Sequence, residues 1–192
     1  MYLKYLLKEI LCKTYIIMGM DLICDQEHWS GCYSTWTNLR TACVKATFEY
    51  IKQFIKNNII QTNNEERRLQ KEIMAYIDKI NVHKSDDEIF ISMNLHLFNG
   101  FLEECKNVEF IDLLIKFGVL GIYTLCYKRD HEGYYSVGNA YDICDLFSLI
   151  KDFTIDNKDD IYASENIIYR NINQIERVFQ ESLRLKRIVT IF

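Results

Sequence analysis

Cys24, His28 and Cys32 are spaced four residues apart, and all three carry side chains that bind zinc. A structural zinc site takes four such ligands, so a fourth would have to come from a distant segment. The candidates for that fourth ligand are Cys126, His131 and Cys144. The spacing is not that of a CxxC knuckle, however. We therefore favour a simpler interpretation, in which Cys24 ends a buried strand, Cys32 packs beside a helix and His28 is exposed.

A second group of polar residues lies in the stretch KRDHEGYYSVGNAYDICDLF, residues 128–147. A histidine beside carboxylates titrates near neutral pH, so His131 with Asp130 and Glu132 could act as acid–base groups. Adjacent residues on one turn usually point in different directions, and no nucleophile is evident beside them. We therefore predict that these three residues form the tip of a hairpin between VLGIYTLCYK and YYSV, because Asp and Gly are favoured in tight turns.

The same stretch predicts the start of a helix just after that hairpin. Asn139 stands where an N-cap belongs, and Asp142 follows three residues later in a pattern that resembles a capping box. The residues with helical spacing beyond the cap are Ile143, Leu146, Phe147 and Ile150. A joint between a hairpin and a helix thus accounts for most residue types in the stretch.

Two other kinds of chemistry are disfavoured by the motifs. Gly133 and Gly138 have the glycine spacing of a P-loop, but Asn139 and Ala140 stand where that motif needs Lys and Ser or Thr. The dinucleotide-binding glycine pattern is also absent from the sequence. A cysteine hydrolase would pair a thiol with a distant histidine, and no local signature selects any one cysteine.

Two features favour binding of a partner protein. Arg170, Arg177 and Arg184 are seven residues apart, so they fall on one side of a helix, where guanidinium groups can bind phosphates or acidic partners. Acidic residues lie close by, and a solvated, ion-paired helix face is the favoured alternative. Trp29 lies in the predicted first loop, and exposed aromatic residues of this kind anchor protein interfaces.

Composition narrows the class of protein. The 192 residues are 49% hydrophobic and 26% charged, which predicts one well-packed domain. The net charge of −4 argues against nucleic acid as the partner. Seven cysteines without a tight framework predict reduced thiols and an intracellular, cytoplasmic protein. The absence of proline is typical of AT-rich genomes, such as those of parasites, low-GC bacteria or large DNA viruses, and a viral protein would work in the host cytoplasm.

Residues 1–17 predict an N-terminal amphipathic arm. Helical spacing relates Leu3, Leu6, Leu7, Ile10, Leu11 and Thr14, while the lysines fall mostly off that face. We favour a helix docked on its own domain, and the alternative is an arm that binds a membrane surface or a partner. The stretch is too charged to span a membrane. Met18 or Met20 is an alternative start, in which case the arm is not native.

Periodicity predicts a single α+β domain over residues 18–192, with a small, mainly antiparallel sheet packed with about five helices. Residues 88–105 fit both a strand and a helix and are left undecided. The predicted strands are residues 15–24, the two arms of the hairpin and the final KRIVTIF. The predicted helices begin at Ser34 or Thr35, Glu65, Asn107, Asn139, and Asp160 or Ser164.

Three stretches of the chain resemble a group of small uncharacterised proteins that begin Met-Gly-x-Asp-Leu. These stretches are MGMDL at residues 18–22, the following WSGCYSTWTNLR, and HEGYYSVGNAYDICDLF. Proteins of that group follow the opening with a tryptophan-containing helix and carry a glycine turn before a capped helix. The resemblance covers about a third of the chain and implies a start near Met18 and one compact α+β domain. It implies no activity.

The leading hypothesis is a non-enzymatic interaction or regulatory protein, with an exposed aromatic or arginine surface and no cofactor. The alternative is a small hydrolase or metal-dependent enzyme that uses the loop of Cys24, His28 and Cys32 and the turn at His131. Zinc would be the metal bound at that loop. An enzyme needs polar groups that converge in a cleft, whereas a binding module needs an exposed apolar or charged patch.

Overall fold

A computed structural model describes residues 19–58, 63–81, 95–127, 133–154 and 165–192. Within these ranges the chain forms four strands and seven helices in an α+β arrangement, two helices more than expected. The elements are β1 (Gly19–Cys24), β2 (Glu27–Cys32), α1 (Tyr33–Asn58), α2 (Asn64–Asn81), α3 (Leu95–Glu104), α4 (Val108–Lys116), α5 (Leu120–Tyr127), β3 (Tyr134–Tyr135), α6 (Val137–Thr154), α7 (Glu165–Leu185) and β4 (Val189–Ile191).

The first two strands form a hairpin whose turn has two residues, because Cys24 pairs with Glu27. Asp25 adopts a φ of 54°, a left-handed conformation that aspartate tolerates better than most residues. The prediction that His28 and Trp29 lie in a loop was therefore wrong. Trp29 is the one fully buried residue of β2, and its neighbours His28 and Ser30 are exposed, so the strand lacks the apolar signal of a buried one.

The sheet has the order β2-β1-β4-β3, and all neighbouring strands are antiparallel. The register places Leu22 opposite Ile191, and Tyr135 opposite Val189. The predicted final strand and the antiparallel sheet are thus confirmed.

The predicted hairpin around residue 130 was wrong, because its first arm is helical. The run VLGIYTLCYK contains α5, and this short helix is buried on most sides, so its apolar run lacks helical periodicity. Strand β3 pairs with β4 instead. The proposed tip residues, Asp130, His131 and Glu132, lie outside the described residues.

The helix cap expected at Asn139 lies three residues earlier. Ser136 Oγ accepts a hydrogen bond from the Asn139 main chain at 3.2 Å, and Asn139 Oδ1 accepts one from the Ser136 main chain at 3.0 Å. Ser136 is therefore the N-cap of α6. Asn139, the third residue of the helix, is its partner in this reciprocal cap. Asp142 lies one turn further along and takes no part in capping.

The remaining helix predictions are confirmed by α1, α2, α4 and α7. Asn63 and Glu66 form a reciprocal cap at the start of α2, with two hydrogen bonds of 2.9 Å. Within the undecided segment, α3 is a helix. The predicted arm, residues 1–17, lies outside the described residues.

The core extends from one face of the sheet, which packs against α7 and α1, through α6 to the remaining helices. The rings of Trp29 and Trp36 are 5.5 Å apart, and those of Tyr135 and Phe179 meet edge to face at 5.3 Å. Across α6 and α7, Lys151 forms an ion pair with the buried Glu176. No helix in the described ranges is both long and apolar enough to cross a membrane.

Candidate docking surface on the sheet

Among the described elements, helices pack against one face of the sheet only. Alternation along the strands points Met20, Leu22, Trp29, Val189 and Ile191 into the core. The alternate residues point the other way. We call their surface the outer sheet face, and it consists of Asp21, Ile23, His28, Ser30, Tyr134, Ile188, Thr190 and Phe192.

The outer sheet face is apolar over much of its area. Tyr134, Ile188 and Phe192 are large apolar or aromatic residues with exposed fractions of 47%, 50% and 71%. The register places Thr190 between Ile23 and Tyr134, and Ile188 and Phe192 lie two residues before and after it in the chain, so the apolar residues surround this threonine. A one-sided antiparallel sheet normally presents polar side chains to water. Contiguous exposed apolar surface is typical of an interaction site.

Asp21, His28 and Ser30 form a polar corner of the outer sheet face, next to these apolar residues. His28 Nε2 lies 3.3 Å from Asp21 Oδ1. A hydrogen bond from the Ser30 side chain lowers the pKa of Asp21, partial burial opposes this effect, and His28 adds a smaller lowering. Ser30 thus affects the pKa of Asp21 more than His28 does. Activation of a serine nucleophile requires a base bonded to its hydroxyl, whereas His28 Nε2 makes its contact with Asp21.

Asp21 makes the polar corner sensitive to acid. Its pKa in the fold lies below the ordinary value of 3.8, so the carboxylate stabilises the fold above that pH and the stabilisation is lost as the pH falls through the folded pKa. We expect Ser30→Ala to raise the pKa of Asp21 in a carbon-13 NMR titration of its carboxyl group. Thr190→Ala, on the same face, is the control and should leave that pKa unchanged. An equal pKa in wild type and Ser30→Ala would contradict the assignment.

The three candidate zinc ligands do not converge. Cys24 is buried on the inner face of the sheet, while His28 is exposed on the outer face. Cys32 pairs with Gly19, at the opposite end of the hairpin from the turn next to Cys24. No group of three His, Cys, Asp or Glu side chains in the described ranges could hold a metal ion.

The cysteines of the described ranges are free thiols, and most are buried. Burial raises the pKa of Cys43 to about 12 and that of Cys144 to about 11. Burial also raises the pKa values of Cys24 and Cys105. Because the thiolate is the nucleophile, these four side chains are unreactive near neutral pH.

Trp29 is not the exposed interface residue that its position predicted. Its side chain is 2% exposed, and its indole N–H donates a hydrogen bond of 3.1 Å to Asn171 Oδ1 on α7. The tryptophan therefore fastens the sheet to the last helix.

The arginine row lies on the exposed side of α7, at Arg170, Arg177 and Arg184. Arg184 is held by Glu181 through two hydrogen bonds, 2.6 Å and 2.5 Å long. This part of the row fits the solvated, ion-paired helix face.

The outer sheet face was missed at the sequence level, although one signal was present. The final segment IVTIF is apolar at four of its five positions, a pattern expected of a strand whose two faces are both covered. The described helices cover one face of β4, and Ile188 and Phe192 are exposed.

We found no family model, no curated protein and no solved structure that matches this chain. The resemblance to proteins that begin Met-Gly-x-Asp-Leu therefore stays a prediction.

Proposed function

We propose that this is a non-enzymatic interaction protein that binds a partner polypeptide through the outer sheet face. The proposal is carried by one observation: Tyr134, Ile188 and Phe192 expose apolar side chains where a solvated sheet face is normally polar. Association would bury these side chains, and each Å² of apolar surface removed from water contributes about 25 cal/mol.

The outer sheet face also indicates the chemistry of the partner. Its exposed apolar residues, Tyr134, Ile188 and Phe192, fit apolar side chains of a partner. The carboxylate of Asp21, at its polar corner, fits a lysine or arginine. The pKa of Asp21 is lowered, so the carboxylate is ionised at neutral pH. A partner with an apolar row flanked by a basic residue matches both features.

The enzymatic alternative has less support from the described residues. Cys24 and His28 lie on opposite faces of the sheet, and four of the thiols have pKa values raised by burial. The turn at His131 lies outside the described residues. The free thiols favour a reducing compartment, so we place the proposed interaction in the cytoplasm.

The proposal predicts that a negative charge among the exposed apolar residues of the outer sheet face weakens binding. Ile188→Glu should weaken the affinity for a partner captured from the native lysate by at least about tenfold, because the carboxylate must lose its water on association. The measurement is a titration of the purified partner by isothermal calorimetry. Val108→Glu is the matched control, because Val108 is 69% exposed on α4, away from the sheet.

Circular dichroism must first show that both variants are folded. Equal affinities of Ile188→Glu and Val108→Glu for every captured partner would overturn the proposed function.

A further inference from the structure

Strand β2 leaves main-chain hydrogen-bonding groups unused by the sheet. Asp21 and Phe192 exchange two hydrogen bonds, each 3.1 Å long, so the N–H and C=O of Asp21 point towards β4. Successive residues of an antiparallel strand point these groups to opposite sides. Leu22 therefore points towards β2, where it pairs with Trp29. It follows that His28 and Ser30 point their N–H and C=O groups away from β1.

Within the part of the chain that the structure describes, these groups form an open edge of the sheet. Strand β2 is the first in the order β2-β1-β4-β3, and no strand in the described ranges pairs with its outer side. Both His28 and Ser30 are exposed. Residues two apart in a strand are about 6.8 Å apart, so the four groups match the repeat of an added antiparallel strand.

The two edges of the sheet differ in their protection. Proteins block sheet edges with short strands, lysine or proline. Strand β3, at the far edge, has only two residues. Strand β2 has six residues, EHWSGC, with neither lysine nor proline. Its edge is therefore the one suited to accept another strand.

We propose that an extended segment of the partner adds to the outer edge of β2 as a further strand of the sheet, a recognition mode in which main-chain hydrogen bonds supply affinity and side-chain contacts supply specificity. This inference rests on the proposed function, since alternate side chains of the added strand would lie on the outer sheet face.

Asp21 sets the chemistry of the added strand. Ser30 lies between the open edge and Asp21, because these two residues are paired in the register. Ser30 is small, so a lysine or arginine opposite it can reach across to the carboxylate of Asp21. A second copy of this chain is a poorer occupant, because its β2 contains Glu27 and neither lysine nor arginine. The whole chain also has a net charge of −4, so two copies repel each other.

The test uses the full chain as bait for a phage-displayed library of linear ten-residue peptides. The enriched peptides should alternate apolar and polar residues with a period of two, and should carry a lysine or arginine. The dissociation constants of synthetic copies are then measured by fluorescence anisotropy for the wild type and for two substitutions of Ser30.

Ser30→Pro removes the outward N–H but no hydrogen bond to β1, so a proline is tolerated at this position. It should weaken peptide binding by at least about tenfold. Ser30→Ala loses the same hydroxyl but keeps the main-chain N–H, so it is the reference variant, and the tenfold weakening by Ser30→Pro is measured against it. If Ser30→Pro fails to fold, peptides N-methylated at alternate residues provide the same test, because N-methylation removes the N–H groups that the peptide would donate to β2.

Failure of this inference can be told apart from failure of the proposed function. Peptides that tolerate Ser30→Pro or N-methylation, or that show helical spacing, would overturn strand addition. If such peptides were still lost in Ile188→Glu, the outer sheet face would remain the docking surface. If the library yields no enriched peptide, strand addition is overturned. The titration of the purified partner then tests the proposed function by itself.

Discussion

Trp29→Ala is expected to lower the free energy of unfolding by about 3–5 kcal/mol, the usual cost of truncating a buried aromatic residue. The ring is 5.5 Å from that of Trp36, and its indole N–H bonds to Asn171. It also covers Gly31, where a Cβ would lie 2.6 Å from a ring carbon of Trp29. Removal of the ring therefore opens a cavity between β2 and α7. Urea denaturation should show a lower midpoint with an unchanged slope.

An exposed residue of α4 provides the control for this prediction. Val108→Ala should change the free energy of unfolding by no more than about 0.5 kcal/mol, because Val108 is 69% exposed. If Trp29→Ala kept the stability of the wild type and lost only partner binding, the original interpretation of Trp29 as an interface residue would be restored.

Gly121→Ala is expected to destabilise the fold by about 2–3 kcal/mol through overpacking. A Cβ at Gly121 would lie 2.0 Å from the main-chain oxygen of Asp142 and 2.7 Å from Leu146 Cβ. The contact is with the backbone of α6, so it can be relieved only by moving α5 and α6 apart. The higher helix propensity of alanine offsets about 1 kcal/mol at most. Urea denaturation again provides the measurement.

A second helical glycine offers a matched control for Gly121→Ala. Gly138 lies in the first turn of α6, and a Cβ there would meet only Ser136 Oγ, at 3.7 Å. Gly138→Ala should therefore leave stability unchanged or raise it by up to about 1 kcal/mol. Equal effects of the two substitutions would show that the approach of α5 to α6 is looser than these distances imply.

Most helices were predictable because their signals are local. Helices α2, α4 and α7 each bury one stripe, and this produces a period of 3.6 that survives without knowledge of the neighbours. Polar residues at caps, such as Asn107 at α4, are also local, because the side chain bonds to its own helix. The prediction failed at α5, since a helix enclosed on most sides has no polar stripe to reveal its period.

The candidate sites were harder to predict than the helices. In a strand a shift of one residue moves a side chain to the opposite face. Cys24, His28 and Trp29 lie within six residues, yet one cysteine and the tryptophan are buried while the histidine is exposed. The predicted loop is a strand, so Cys24 and His28 lie on opposite faces of the sheet and Trp29 is buried. These positions do not fit the predicted zinc site or the predicted exposed aromatic residue.

By itself the sequence determined an α+β protein with an antiparallel sheet, the position of the last strand and the main helices, because periodicity and capping act over a few residues. Tertiary structure alone decided which face of the sheet the helices cover and which strand lies at the open edge. These outcomes depend on the pairing of β1 with β4, segments separated by more than 160 residues in the chain. No local pattern specifies such a pairing, and the proposed docking surface follows directly from it.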